Sequence, residues 1–204
     1  MPIKAVIWDI GGVIGRTEDR APRAQLAADL GVSYEHLVRL IFGGEQGARA
    51  QLGEITVDEL FQYVREELKL APGEFTDLYE RFFAGDRVDY ELVDYIRSLR
   101  PTYKIGIISN AWGDLRQMLD QWGITDAFDE IIGSGDEGIL KPDSRIYEIA
   151  LERLGLKPEE IIFVDDFIEN VEATKKLGIH AIHFRNREQA LLELNDLLKS
   201  ELSA

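Results

Sequence analysis

Three short apolar runs in this 204-residue chain stop abruptly at a polar side chain: "AVIW" at Asp9, "KIGII" at Ser109 and "IIFV" at the pair Asp165-Asp166. Each has the length of a strand and is too short for a helix. The second and third are followed by stretches of helical spacing closed by glycine, "DLRQMLDQWG" to Gly123 and "ENVEATKKLG" to Gly178. "PDSRIYEIALERLG" puts Ile146, Ile149, Ala150 and Leu154 on one face and stops at Gly155, while "AFDEIIGS" and "IHAIHF" supply two more strands. "REQALLELNDLLKS" closes the chain as an amphipathic helix. Strands and helices alternating over short links demand a parallel sheet with helices on both faces, joined by right-handed crossovers. The expected class is α/β.

Residues from about Arg16 to about Asp86 break this alternation. They hold "SYEHLVRLIF", "TVDELFQYVREELKL" with a Thr56–Glu59 capping box, and "GEFTDLYERFFAG", all of helical spacing, and no convincing strand. A small all-helical insertion between the first strand and the rest is expected. Its glycine-rich "FGGEQGARAQLGEIT" reads as loop punctuation carrying solvated charges, with Glu45, Gln46, Arg49 and Glu54 on offer to hydroxyls or a second anionic group.

Composition narrows the chemistry. With no cysteine, disulfides, thiolate metal sites and cysteine nucleophiles are all excluded. A net charge of −15 argues against nucleic acid, and its few Lys and Arg are scattered among acids. His180 and His183 lie in an apolar stretch and read as strand residues rather than metal ligands. No stretch approaches a membrane span, and "MPIKAVIWD" lacks the pattern of a secretory signal, so a cytoplasmic monomer or homodimer without nucleic-acid or membrane partners is expected.

In a parallel α/β sheet, ligands bind beyond the carboxyl ends of the strands. Asp9, Ser109-Asn110 and Asp165-Asp166 therefore meet at one edge, beside Lys141 in "GILKPD". Singly, each has an ordinary reading as a cap, a turn or a surface charge. Jointly, carboxylates converging without histidine or cysteine make a hard-oxygen site suited to Mg²⁺. A carboxylate is also a competent nucleophile toward phosphorus, and a serine with a lysine can hold and neutralise a phosphoryl group. The metal and the lysine supply the local cation that an acidic protein needs for an anionic substrate.

On these residues the chain resembles the haloacid dehalogenase-like hydrolase superfamily, in its branch with a small helical cap. "AVIWDIGGVI" matches the nucleophile motif, "IGIISN" the Ser/Thr motif, "LKPD" the lysine motif and "IFVDDFIEN" the acidic motif, in that order along the chain. The resemblance implies a Rossmann-like core over residues 1–15 and 87–204 with a cap over 16–86. It implies Asp9 as nucleophile and Mg²⁺ on Asp9, the Gly11 carbonyl and Asp166, with Asp165 in or beside that shell. It gives Ser109 and Asn110 to the phosphoryl oxygens, Lys141 to the bridge between Asp9 and phosphate, and Asn170 to orienting the acids.

One position departs from the pattern. The usual phosphatase of this family has a second aspartate two residues after the first, as general acid and base; here Gly11 stands there. Its carbonyl can still bind metal, but proton transfer worth about 10²–10⁴-fold is missing. The expected function is a Mg²⁺-dependent phosphatase acting on a small phosphorylated metabolite with a good leaving group, such as a sugar phosphate. Members similar to glucose-1-phosphate phosphatases also carry glycine there. The alternatives are a 2-haloacid dehalogenase using Asp9 on carbon, which the acid pair Asp165-Asp166 disfavours, and a non-catalytic phosphate-binding protein on the same fold.

Overall fold

The computed structural model describes residues 2–200. Five parallel strands form its sheet: β1 (Ala5–Trp8), β4 (Lys104–Ser109), β5 (Glu130–Gly133), β6 (Ile161–Asp165) and β7 (His180–His183), in the order β5-β4-β1-β6-β7. Two further strands, β2 (Gly15–Thr17) and β3 (Asp86–Val88), pair antiparallel as a separate ribbon. The chain leaves β1 for β4 and β5 on one side, then crosses back to β6 and β7 on the other. The order therefore reverses at β1, which is where open α/β sheets carry their ligand crevice.

Alternation along each strand explains the layering, because successive side chains point to opposite faces. Val6, Trp8, Ile105, Ile107, Ile162 and Val164 enter one core with helices α6 (Tyr90–Leu99), α7 (Leu115–Gln121) and α11 (Arg187–Ser200). Ala5, Ile7, Ile108, Ile161 and Phe163 enter the other with α9 (Ser144–Leu154) and α10 (Ile168–Lys176). This is the expected Rossmann-like α/β architecture with both faces covered. Gly155 ends α9 in the left-handed conformation, as the sequence predicts.

Residues 21–83 are mostly helical: α1 (Ala21–Asp29), α2 (Tyr34–Phe42), α3 (Gly44–Gln51), α4 (Val57–Glu67) and α5 (Leu78–Phe83). They bury a core of their own around Leu26, Leu37, Ile41, Val64, Leu78 and Phe82. The Thr56–Glu59 capping box is formed at the start of α4. Three local expectations need correction. "GEQGARAQ" is the helix α3 rather than a loop, its Gly47 lying within hard contact of the Phe42 backbone, where a larger residue would not fit. α5 begins only at Leu78, because Gly73 and Phe75 take positive φ values of 87° and 47° that no helix accommodates. The ribbon strands "GRT" and "DRV" are too short and too polar to show a strand pattern, so the sequence conceals them.

Candidate active site

Register brings the acids together. Trp8 pairs with Ile107 of β4 and with Val164 of β6, so Asp9 and Asp165 leave the sheet side by side. The Asp9 N–H still donates to the Val164 carbonyl at 2.9 Å, which holds the first residue beyond β1 in place. Asp9 Oδ1 accepts hydrogen bonds from Ser109 Oγ at 2.8 Å and the Ile10 N–H at 2.7 Å, and lies 2.8 Å from Lys141 Nζ. These three contacts converge on one oxygen of the carboxylate.

Lys141 is buried and also donates to Asp165 Oδ2 at 2.6 Å, so its ammonium sits between two carboxylates. Asn110 secures the loop that carries it: Asn110 Oδ1 accepts from the Lys141 N–H at 2.7 Å and Asn110 Nδ2 donates to the Lys141 carbonyl at 3.0 Å. Asp165 is held further by Asn170, whose Nδ2 donates to both of its oxygens at 3.0 Å, and by the Phe167 N–H at 2.8 Å. Its carboxylate is thus committed to positioning the lysine.

Asp166 has the opposite character. Its Oδ1 is one of three buried side-chain polar atoms without a hydrogen-bond partner among the described residues. Burial, with Asp9 and then Asp165 as neighbouring like charges, pushes its carboxyl up to about 6. Burial also pushes the Asp9 carboxyl upward, against the pull of Lys141. Oxygens of Asp9, Asp165 and Asp166 all lie within 4.8 Å of one another. A buried, partnerless carboxylate oxygen in an all-oxygen cluster fits a hard divalent cation, which would relieve the crowding of like charge. The loop is built tightly over this carboxylate: a Cβ at Gly12 would lie 2.1 Å from Asp166 Oδ2, and Gly12 has φ +76°. His183 Nε2 lies 3.0 Å from the Asp166 carbonyl oxygen and supports the same turn from β7.

Gly11, Ser109 and Asn110 open onto a cleft of about 360 Å³ between the sheet edge and the helical segment. Gly11 is exposed there, and a Cβ built on it meets nothing within 4 Å. The missing aspartate is therefore a choice of residue and not a steric necessity. Glu45, Gln46, Arg49 and Glu54 are not among the lining residues; Arg49 instead donates to Gln46 at 3.1 Å and to Glu54 at 3.2 Å. The cleft is walled by aromatic rings, Trp112 among them. Phe42, Tyr79, Phe83 and Trp122 join it; the sequence signal for the first three is the aromatic density of "LYERFF" and "LIF", while Trp122 stands alone in "DQWG".

Comparison with known proteins gives a consistent picture. The chain is 28% identical over 200 residues to a sesquiterpene phosphatase of Aspergillus oryzae, covering 96% of each chain. It is 37% identical over 200 residues to a glyceraldehyde 3-phosphate phosphatase of Methanothermobacter thermautotrophicus, covering 88% of this chain and 84% of the other. Some curated relatives are longer, and the chain spans 40% of the bifunctional epoxide hydrolase 2 of Sus scrofa. Among solved structures, a HAD family enzyme of Bacteroides thetaiotaomicron in complex with magnesium and inorganic phosphate superposes with a TM-score of 0.74. The two chains are 20% identical, with 88% of this chain and 93% of that one covered. The profile of haloacid dehalogenase-like hydrolases matches residues 3–178, a span that contains every strand-end residue described above. By that match the chain belongs to the haloacid dehalogenase-like hydrolase family.

Proposed function

We propose that the protein is a Mg²⁺-dependent phosphatase that hydrolyses a small phosphate monoester through an aspartyl phosphate on Asp9. One observation carries the reading: a buried carboxylate gripped on a single oxygen by Ser109, Lys141 and a backbone N–H, beside the partnerless Asp166 oxygen. With Oδ1 so held, Oδ2 of Asp9 attacks phosphorus, and the ester P–O bond breaks as the leaving alkoxide takes a proton from water. Water then attacks the acyl phosphate at phosphorus and frees Asp9 and inorganic phosphate. Lys141 balances the charge that moves onto the phosphoryl oxygens, while Ser109 and the Asn110 N–H orient them. Asp165 and Asn170 keep Lys141 in place. Mg²⁺ held by Asp9, Asp166 and the Gly11 carbonyl, with Asp165 beside it, would screen the phosphoryl charge. In the same reading residues 16–86 are a cap over a core of residues 1–15 and 87–204.

The paired acids speak against a halocarboxylate substrate, since dehalogenation uses no metal to offset their charge. The names of the similar phosphatases support the reaction class, while one refers to a terpene and the other to a phosphorylated aldehyde. The test is hydrolysis of p-nitrophenyl phosphate with Mg²⁺ and with EDTA, beside Asp9→Asn. Turnover should require the metal and fall at least about 10⁴-fold in the variant. Metal-independent chloride release from 2-chloropropionate would replace this reading with the dehalogenase.

A further inference from the structure

We infer that the alcohol half of the substrate is apolar: the cleft beside Asp9 is built to hold the hydrocarbon portion of a phosphate ester rather than a sugar. This rests on the phosphatase reading and adds the substrate class to it.

The walls carry the argument. Phe42 and Phe83 come from the helical segment, and Trp112, Met118 and Trp122 from α7 and the loop before it, with Tyr79 completing the ring. Phe42, Tyr79, Phe83 and Trp112 are organised as a continuous aromatic array. Phe42 stacks on Trp112 at 5.9 Å and 16°, Phe83 meets the same indole edge-on at 5.9 Å, and Tyr79 packs on Phe83 at 4.9 Å. Phe42 and Tyr79 nevertheless remain 40% and 38% exposed, large apolar surfaces left in water beside the reacting group.

Three of the polar side chains in the lining, Asp86, Arg87 and Gln51, are engaged elsewhere. Asp86 is held by Arg23 at 3.0 Å, Arg87 donates to the Ala84 and Asp86 carbonyls, and Gln51 donates to the Phe42 carbonyl. Burial, and then the nearby Asp136, push the carboxyl of half-buried Asp114 up. A sugar needs several free donors and acceptors to replace its hydration, and leaving its hydroxyls unpaired costs affinity. A hydrocarbon needs only the rings. A volume of about 360 Å³ corresponds to that of roughly a dozen liquid waters, so the occupant has about that many heavy atoms.

The experiment compares kcat/KM of the Mg²⁺-loaded enzyme for butyl, hexyl, octyl and geranyl phosphate with that for glucose 1-phosphate, glucose 6-phosphate and glyceraldehyde 3-phosphate. Each fully buried methylene is worth roughly fourfold. The alkyl series should therefore climb at least tenfold from butyl to octyl, and the best apolar ester should exceed the best sugar phosphate by at least tenfold. Phe42→Asn, at a half-exposed position, should flatten the alkyl series while inorganic phosphate inhibits as before. A tryptophan-fluorescence titration with octyl phosphate and with glucose 6-phosphate gives a readout that needs no turnover. Sugar phosphates turned over faster than every apolar ester would overturn the substrate class and leave the phosphatase standing. Octyl phosphate quenching the tryptophans of an enzyme that hydrolyses nothing would keep the cleft assignment and remove the phosphatase. Neither hydrolysis nor quenching would overturn both.

Discussion

The two sides of the cleft are held together by different physics. On the sheet side, Asp9, Ser109, Lys141, Asp165 and Asn170 form one hydrogen-bonded chain with contacts of 2.6–3.0 Å, every member buried. On the helical side, Phe42 and Phe83 meet each other and Trp112 through ring faces and edges and Tyr79 packs on Phe83, partly in water. Backbone register fixes the first side, so its chemistry is set wherever β1, β4 and β6 form. Ring packing alone fixes the second, which can be recut without disturbing the strands. In the proposed reading, catalysis and substrate choice are thus physically separable.

The sharpest way to break that contrast is to remove the cation from the sheet side. Lys141→Met leaves two buried carboxylates facing each other without a counter-charge, and should cost about 3–5 kcal/mol of folding stability. Urea unfolding measures it. If charge compensation is the cause, Lys141→Met with Asp165→Asn should be more stable than Lys141→Met alone, although it carries one more substitution. Equal losses from Lys141→Met and from Phe42→Asn would show that the two sides do not differ in the way described.

Gly11 tests where one side ends and the other begins, since it belongs to the loop after Asp9 yet lines the cleft. Gly11→Asp is sterically free and should restore the missing proton transfer. For alkyl phosphates, whose leaving groups are poor, kcat should rise about 10²-fold, and for p-nitrophenyl phosphate far less. A uniform change across leaving groups would mean that proton transfer does not limit this enzyme. Gly12→Asp is the control, because Cβ there collides with Asp166 and activity should be lost.

How much of this the sequence discloses follows the same division. Asp9, Ser109, Lys141, Asp165 and Asn170 are legible because each sits at a fixed offset from an apolar run or a helix start, and strand ends converge by topology. The capping box of α4 and the glycine stop of α9 are legible for the same reason, being local. Trp122 and Phe83 are not, because the cleft they share is made by tertiary packing between segments about forty residues apart. The ribbon β2–β3 escapes because three-residue strands of "GRT" and "DRV" carry no periodicity. The position of Asp165 is legible at a strand end, but only the contacts of Lys141 and Asn170 reveal its service to the lysine.

The joint between the two sides offers the smallest effect and a distinct signature. Asp89, just beyond β3, accepts from Arg16 of β2 at 2.9 Å, from Arg187 at the start of α11 at 2.6 Å and from the Leu92 N–H at 3.0 Å. Burial pushes its carboxyl up, but these three donors outweigh burial and hold it below its ordinary value of 3.8. A group depressed on folding contributes its stability in full above the unfolded value, and loses it as the pH falls through the folded one. Asp89→Asn should therefore cost about 2 kcal/mol at pH 7. The gap between variant and parent should close progressively below pH 4, as the parent loses what the variant never had. Parallel stability curves down to pH 2 would show that the carboxylate charge contributes nothing at the joint. A variant that also altered the alkyl-chain preference, with the sheet-side chemistry intact, would show that this joint sets how the aromatic wall meets the nucleophile.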